Sequence, residues 1–186
     1  DMFADKPETL IPRRLRLEVP ERLRHDGTVE TPLDEAAARA AAEALREAGV
    51  AAVAICFLYS FVDPTHEQAA RRIVEEILPE AYVTCSHEIA PEFREFERLS
   101  TTVVNSYLGP IMQRYIRRLG ERLEELGMGA APHLTQSNGG IVSFDAAART
   151  PVRAVLSGPS TGVVAAEAIG RQAGFENVIT FDMGGT

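Results

Sequence analysis

The sequence predicts an α/β fold, a mixed sheet with flanking helices, and three observations carry that reading. Val50 to Tyr59 is a nearly continuous apolar run, the pattern of a strand buried on both faces. On either side lie helical stretches, the alanine-rich Ala36 to Ala48 and the stripe Ala69, Ala70, Ile73, Val74, Ile77 and Leu78. Towards the end, a helix of small residues precedes the strand-like run Val178 to Phe181 and a pair of glycines.

The 186 residues suit one domain, or one domain and a piece of another. Nineteen Lys and Arg against 27 Asp and Glu give a net charge of -8, so there is no broad electrostatic case for nucleic acid or an anionic membrane. Any anionic ligand needs a local site. The two cysteines, Cys56 and Cys85, fall in apolar strand-like runs and read as reduced core residues. With no apolar run of spanning length and no signal-peptide pattern, a cytoplasmic setting is expected. The chain opens on Asp1 rather than Met and closes inside a glycine turn, the look of a partial chain.

Taken in order, Arg13 to Val19 alternates basic and apolar residues, a strand period, and Asp26-Gly27 marks the turn of a hairpin with Thr28 to Glu30. Thr31-Pro32-x-Asp34 starts a helix with Thr31 as cap, and Gly49 ends it. The buried strand follows. Asp63-Pro64 caps the next helix, with His66 and Glu67 read as polar residues of its first turn, and Tyr82 to Cys85 forms another strand. Two helices come next, broken at Gly109-Pro110. The first carries a core stripe through Phe93, Phe96, Leu99, Val103, Val104 and Tyr107. Arg98, Thr101 and Thr102 share a face of that helix, either as an interhelical network or as a ligand contact.

His133 to Gln136 then reads as a strand that delivers Ser137-Asn138-Gly139-Gly140, and a strand's carboxyl end is where open α/β sheets bind ligands. Ser157-Gly158-Pro159 opens a helix that runs to about Gln172, with Ser157 or Gly158 at the cap. Its bare amino end, with Gly162 and nearby hydroxyls, favours anions. Asp182, Gly184, Gly185 and Thr186 follow the last strand. Glycines admit an oxyanion to the backbone, an Asp holds hydrated Mg²⁺ and a Thr hydroxyl donates to phosphate. The same five-residue stretch is also compatible with a plain hairpin turn.

In combination these motifs resemble a known family. The capped small-residue helix, strand and Asp-x-Gly-Gly-Thr are similar to the actin, sugar-kinase and heat-shock ATPase superfamily. The set Gln136-Ser137-Asn138-Gly139-Gly140, Leu156-Ser157-Gly158-Pro159 and Phe181-Asp182-Met183-Gly184-Gly185-Thr186 resembles more closely the hydantoinase A and 5-oxoprolinase family. Arg13 to Arg22, Pro64-x-His66-Glu67 and Glu97-Arg98-x-Ser100-Thr101-Thr102 extend the likeness over nearly the whole chain.

The resemblance implies an actin-like, ribonuclease H-like ATPase fold, with residues 1–176 as an N-terminal-type region and 177–186 as the start of the following ATPase domain. It implies ATP and Mg²⁺ as cofactors, a small cyclic amide such as a hydantoin or oxoproline as substrate, and a second, hydantoinase B-type subunit or domain as partner. Carried onto this sequence, Asp182, Gly184, Gly185 and Thr186 contact phosphates, with Asp182 holding Mg²⁺ through water. Ser157, Gly158 and Gly162 line the cleft, and Asn138, Gly139, Gly140 and Arg98 face substrate or ligand. The catalytic base stays unassigned. An ATP-dependent ketone carboxylase subunit and a non-catalytic actin-like nucleotide-binding protein are the alternatives. The family's usual Ser-Gly-Pro-Ala-Gly-Gly is here Ser157-Gly158-Pro159-Ser160-Thr161-Gly162, which restricts backbone approach at Thr161. The first phosphate loop and the adenosine motif are missing from these residues, so the 186 residues alone are expected not to hydrolyse ATP.

Overall fold

The computed structural model describes residues 9–184, and its contacts divide the chain into two compact units, Asp1–Pro110 and Ile111–Thr186. In the first unit a short antiparallel pair, β1 (Arg22–Leu23) and β2 (Val29–Thr31), flanks the expected turn. Asp26 Oδ1 accepts from the Thr28 amide at 3.0 Å and from its hydroxyl at 2.7 Å, and Gly27 sits at φ +84°. The strand expected at Arg13 to Val19 is absent. Arg13–Leu15 is a 3₁₀ turn, and the guanidiniums of Arg13 and Arg16 donate to the carbonyls of Arg16 and Ile11, curling the segment on itself instead of pairing it.

The centre of this unit is a parallel strand–helix–strand arrangement. α1 (Glu35–Glu47) is capped by Asp34, which accepts from the Ala37 amide at 2.9 Å, so the cap lies three residues beyond the expected Thr31, itself the end of β2. Gly49, at φ +67°, ends the helix as expected. β3 (Ala52–Ile55) pairs in parallel with β4 (Tyr82–Cys85), and α2 (Thr65–Ile77) makes the crossover. Ala38 and Ala42 of α1, Val53 and Ile55 of β3, and Ala70, Ile73 and Val74 of α2 form the core. A single-turn helix, α3 (Ser86–Ile89), follows β4 directly.

The long helix departs from expectation twice. α4 (Glu95–Glu125) runs unbroken through Pro110. The residue before a proline normally leaves the helical region because its Cβ and N–H meet the proline ring, but Gly109 has no Cβ. A Cβ at 109 would also overlap the Tyr82 ring, so the glycine serves close packing, not helix termination. The expected core stripe is also largely outward: Phe96 is 76% exposed, Leu99, Tyr107 and, just before the helix, Phe93 are exposed, and Val103 and Val104 are half-buried, while Arg98, Thr102, Asn105 and Ser106 are buried.

In the second unit β5 (His133–Thr135) and β6 (Ile141–Ser143) form an antiparallel hairpin. Ser143 caps α5 (Phe144–Arg149) by accepting from the Ala146 amide, a 3₁₀ turn covers Pro151–Ala154, and α6 (Ser157–Gln172) follows. Residues 178–181, expected as a strand, pair with no other strand among the described residues, and a lone stretch gains nothing from strand geometry without a partner backbone. The α/β class is thus as expected, but the described strands form three two-stranded sheets, one parallel and two antiparallel, in place of one mixed sheet. No helix is long and apolar enough to cross a membrane among the described residues.

Gly109→Ala is expected to destabilise the protein by about 1–3 kcal/mol, the range for overpacking a filled site. Urea denaturation followed by circular dichroism measures this, and an unchanged midpoint would show that the Tyr82 ring is free to move away.

Candidate functional site

Two groups of polar residues are candidates, one in each unit. The first gathers at the carboxyl ends of the parallel strands β3 and β4, around Glu67. This side chain is fully buried on the first turn of α2. Its Oε1 accepts from the Phe57 amide at 2.9 Å and the Ser86 hydroxyl at 2.6 Å; its Oε2 accepts from the His87 amide at 3.0 Å and lies 2.7 Å from His87 Nδ1. Four donors therefore fill the carboxylate, which is how a buried carboxylate is tolerated.

Arg98 completes the network from α4. Its side chain, 2% exposed, donates from Nε to Ser86 Oγ at 3.1 Å and from its two terminal nitrogens to the carbonyls of Glu92 and Phe57, each at 2.8 Å. The guanidinium also lies over the Phe61 ring, 5.2 Å from the centroid. Ser86 Oγ thus stands between the Glu67 carboxylate and the Arg98 cation, with Ser60 Oγ at 3.1 Å as a fourth member. Tyr59 and Arg94, the two non-glycine residues with positive φ among those described, sit in the segments that Arg98 holds. Further along α4, Asn105 donates to Thr84 Oγ1 at 3.3 Å, and His66 Nδ1 lies 2.8 Å from Glu21 Oε2.

The expectation that His66 and Glu67 are ordinary first-turn polar residues missed this burial. The sequence held a signal: Glu67 lies three and seven residues before Ala70 and Val74, on the buried stripe of α2. Arg98, Thr102 and Asn105 likewise repeat at four and three residues, so α4 turns a polar stripe inward.

Glu67, Cys85 and His87 bring three metal-ligating atoms within 4.8 Å of one another. The donor chemistry does not suit an ion. Both carboxylate oxygens are already engaged, and burial pushes the Cys85 thiol up to about 12, away from the thiolate a metal requires.

The second group lies in unit two, where the β5–β6 turn meets the amino end of α6. Gly140 N–H donates to Asn138 Oδ1 at 2.9 Å, and Gly139, at φ +83°, comes so close to α6 that a Cβ would stand 2.8 Å from Val164 Cγ2. Ser137 Oγ accepts from the Leu156 amide at 3.0 Å, and the Ser160 hydroxyl donates to the Ser137 carbonyl at 2.5 Å. The helix starts at Ser157, with Leu156 in the cap position and no side chain capping it, so Ser157 and Gly158 occupy the first turn instead of the cap. Gly158 and Gly162 face open space. The loop carrying Asn138, Gly139 and Gly140 therefore sits against the helix bearing Ser157, Gly158 and Gly162, although it joins antiparallel strands and not the open parallel sheet expected.

Asp182 and Gly184 are exposed, and no hydrogen bond ties them to that loop or helix start among the described residues. Gly185 and Thr186 lie outside the described residues. Uncapped amides and glycines beside open space at the start of α6 are groups that can take an anion.

The chain belongs to the hydantoinase/oxoprolinase family: residues 1–78 match its N-terminal region and residues 98–186 match hydantoinase/oxoprolinase itself. It is 45% identical to the caprolactamase subunit alpha of Pseudomonas jessenii over 95% of its own length and 25% of that protein's. It is 33% identical to the acetophenone carboxylase gamma subunit of Aromatoleum aromaticum, over 98% of this chain and 25% of that one. The crystal structure of ATP-dependent caprolactamase from Pseudomonas jessenii matches with a TM-score of 0.90 and 43% identity, over 100% of this chain and 27% of that one. A nucleotide-free acetone carboxylase structure matches with a TM-score of 0.84 and 29% identity, over 93% of this chain and 25% of that one. The chain thus spans about a quarter of the length of these relatives.

Removing the buried carboxylate strands the Arg98 charge, so Glu67→Ala is expected to lower stability by about 3–5 kcal/mol. A double-mutant cycle pairing Glu67→Gln with Arg98→Met should show coupling of about 0.5–3 kcal/mol through Ser86, and additive effects would refute the relay. The Cys85 thiol also sets a pH dependence. Its folded value lies above its ordinary 9.0, so the unfolded chain ionises first; the thiol's contribution to stability is full below pH 9 and is lost as pH rises towards 12. Replacing Cys85 with Ala should remove that alkaline loss in denaturation measured from pH 8 to pH 11.

Proposed function

We propose that the full-length protein is an ATP-dependent hydrolase that opens a cyclic amide ring, and that the described chain is part of an actin-like ATPase scaffold. The supporting observation is the likeness, at 43% identity along the whole of this chain, to an enzyme whose name states both ATP dependence and a lactam substrate. An amide resists hydrolysis because its nitrogen is a poor leaving group and its carbonyl is resonance-stabilised. Transfer of the γ-phosphoryl group to the amide oxygen breaks the bond from the γ-phosphorus to the bridging oxygen and forms a new O–P bond, leaving an activated imidate carbon. Water then adds to that carbon, phosphate departs, and the ring C–N bond breaks with a proton delivered to nitrogen.

In this reading the unpaired amides at Ser157 and Gly158 and the bare Gly162 accept the phosphate chain at the start of α6, where the helix dipole favours negative charge. Asn138, Gly139 and Gly140 form the adjoining wall, fixed by the hydrogen bonds between Ser137 and α6. Asp182 would hold Mg²⁺ through water, and Gly184, Gly185 and Thr186 would contact the phosphates, as part of the segment that opens the ATPase domain after residue 176. Arg98, committed to Ser86, Glu92 and Phe57, acts by fixing the ends of β3 and β4. Since the named relatives are subunits, a second subunit or domain is part of the proposal.

The test is ATP turnover by the purified full-length protein with its partner subunit, in the presence of lactams, hydantoins and 5-oxoproline. Cyclic-amide-stimulated phosphate release, lowered at least a hundredfold by Asp182→Asn with retained folding, is expected. Stimulation by ketones with bicarbonate, and none by cyclic amides, would replace this reading with a carboxylase.

A further inference from the structure

Among the described residues of α6, only Gly170 is buried. It lies within the helix and needs no positive φ, a place where alanine would hold the backbone better. What stands beside it accounts for the glycine. The helix ends in a reversing turn: the Phe175 amide donates to the Gly170 carbonyl at 2.9 Å, and Gly174 takes φ +85°. The reversed chain lays Val178 on Gly170, where a Cβ would overlap Val178 Cγ2 and stand 3.7 Å from Val178 Cβ. A valine is stiff at χ1, so its methyl does not swing aside freely. Gly162 of the same helix meets nothing within 4 Å, so the two glycines differ in purpose.

Both the Phe175 amide and the Val178 side chain thus rest on one residue of α6. Asp182 follows Val178 by four residues, a tether of about 14 Å at full extension, so a shift of Val178 carries the carboxylate with it. We infer that Gly170 is a positioning residue for Asp182: its missing side chain sets how deeply the segment beds on α6, and with it the place of the carboxylate. This rests on the reading of Asp182 as the Mg²⁺-bearing residue proposed above. Val178 is 45% exposed, so an added Cβ would push the segment outward as a unit instead of straining a closed core. A displacement of about 1 Å in a positioning element is enough to cost about a hundredfold.

Equilibrium binding of Mg-ATP to the full-length protein, measured by calorimetry beside a thermal melt, tests the inference. Gly170→Ala is expected to weaken binding by about tenfold or more, with the melting midpoint unchanged because alanine favours the helix. Val178→Ala removes both methyl groups that the new Cβ would meet, so the double variant is expected to bind within about twofold of Val178→Ala alone. Wild-type affinity in Gly170→Ala would overturn the inference, as would a double variant that binds no better than Gly170→Ala or a loss that tracks a lowered midpoint. Each of those results leaves the ATP-dependent reading standing. Wild-type protein that binds no Mg-ATP would overturn that reading and this inference with it.

Discussion

The first unit depends on one interaction: a buried carboxylate and a buried guanidinium held on opposite sides of a single serine hydroxyl. Glu67 belongs to α2, Ser86 to the start of α3, and Arg98 to α4, so three helices and the chain leaving β3 are tied at one point. Apolar packing beneath, between α1, α2 and the two strands, supplies most of the driving force but little direction. The polar knot supplies direction, since its donors and acceptors satisfy one another at fixed distances and a mispacked alternative would strand a charge in a dry interior. It also explains how Tyr59 and Arg94 are kept at positive φ, where neither residue type settles on its own.

Much of the fold was legible. The Asp26-Gly27 turn, the end of α1 at Gly49, the strands β3 and β4 with α2 between them, and the glycine loop after β5 all follow from local chemistry. What escaped was set by tertiary partners. Alternation at Arg13 to Val19 has the strand period, but a period does not provide a neighbour. Gly109-Pro110 has the composition of a break, and only the Tyr82 ring shows why the glycine is there. Phe93, Phe96 and Tyr107 obey the usual rule for a core, which fails when the polar stripe of the same helix has a network waiting for it.

The candidate nucleotide site divides the same way. Ser137 to Gly140 and Ser157 to Gly162 are far apart in sequence and adjacent in space, linked through Ser137 by the Leu156 amide and the Ser160 hydroxyl. Their glycines read as ligand-facing, and Gly139 packs instead against Val164. The serine bonds that align loop and helix were not legible, because serine is common in turns for purely local reasons.

α4 carries a wider lesson for whoever handles this polypeptide. A helix whose rings point to water while its arginine, threonine and asparagine point inward is a sticky surface wrapped around a wet-looking seam. Exposed as they are, Phe96 and Tyr107, with Phe93 just before the helix, make it prone to clumping, and solubility engineering should begin at those positions and leave the inner stripe alone.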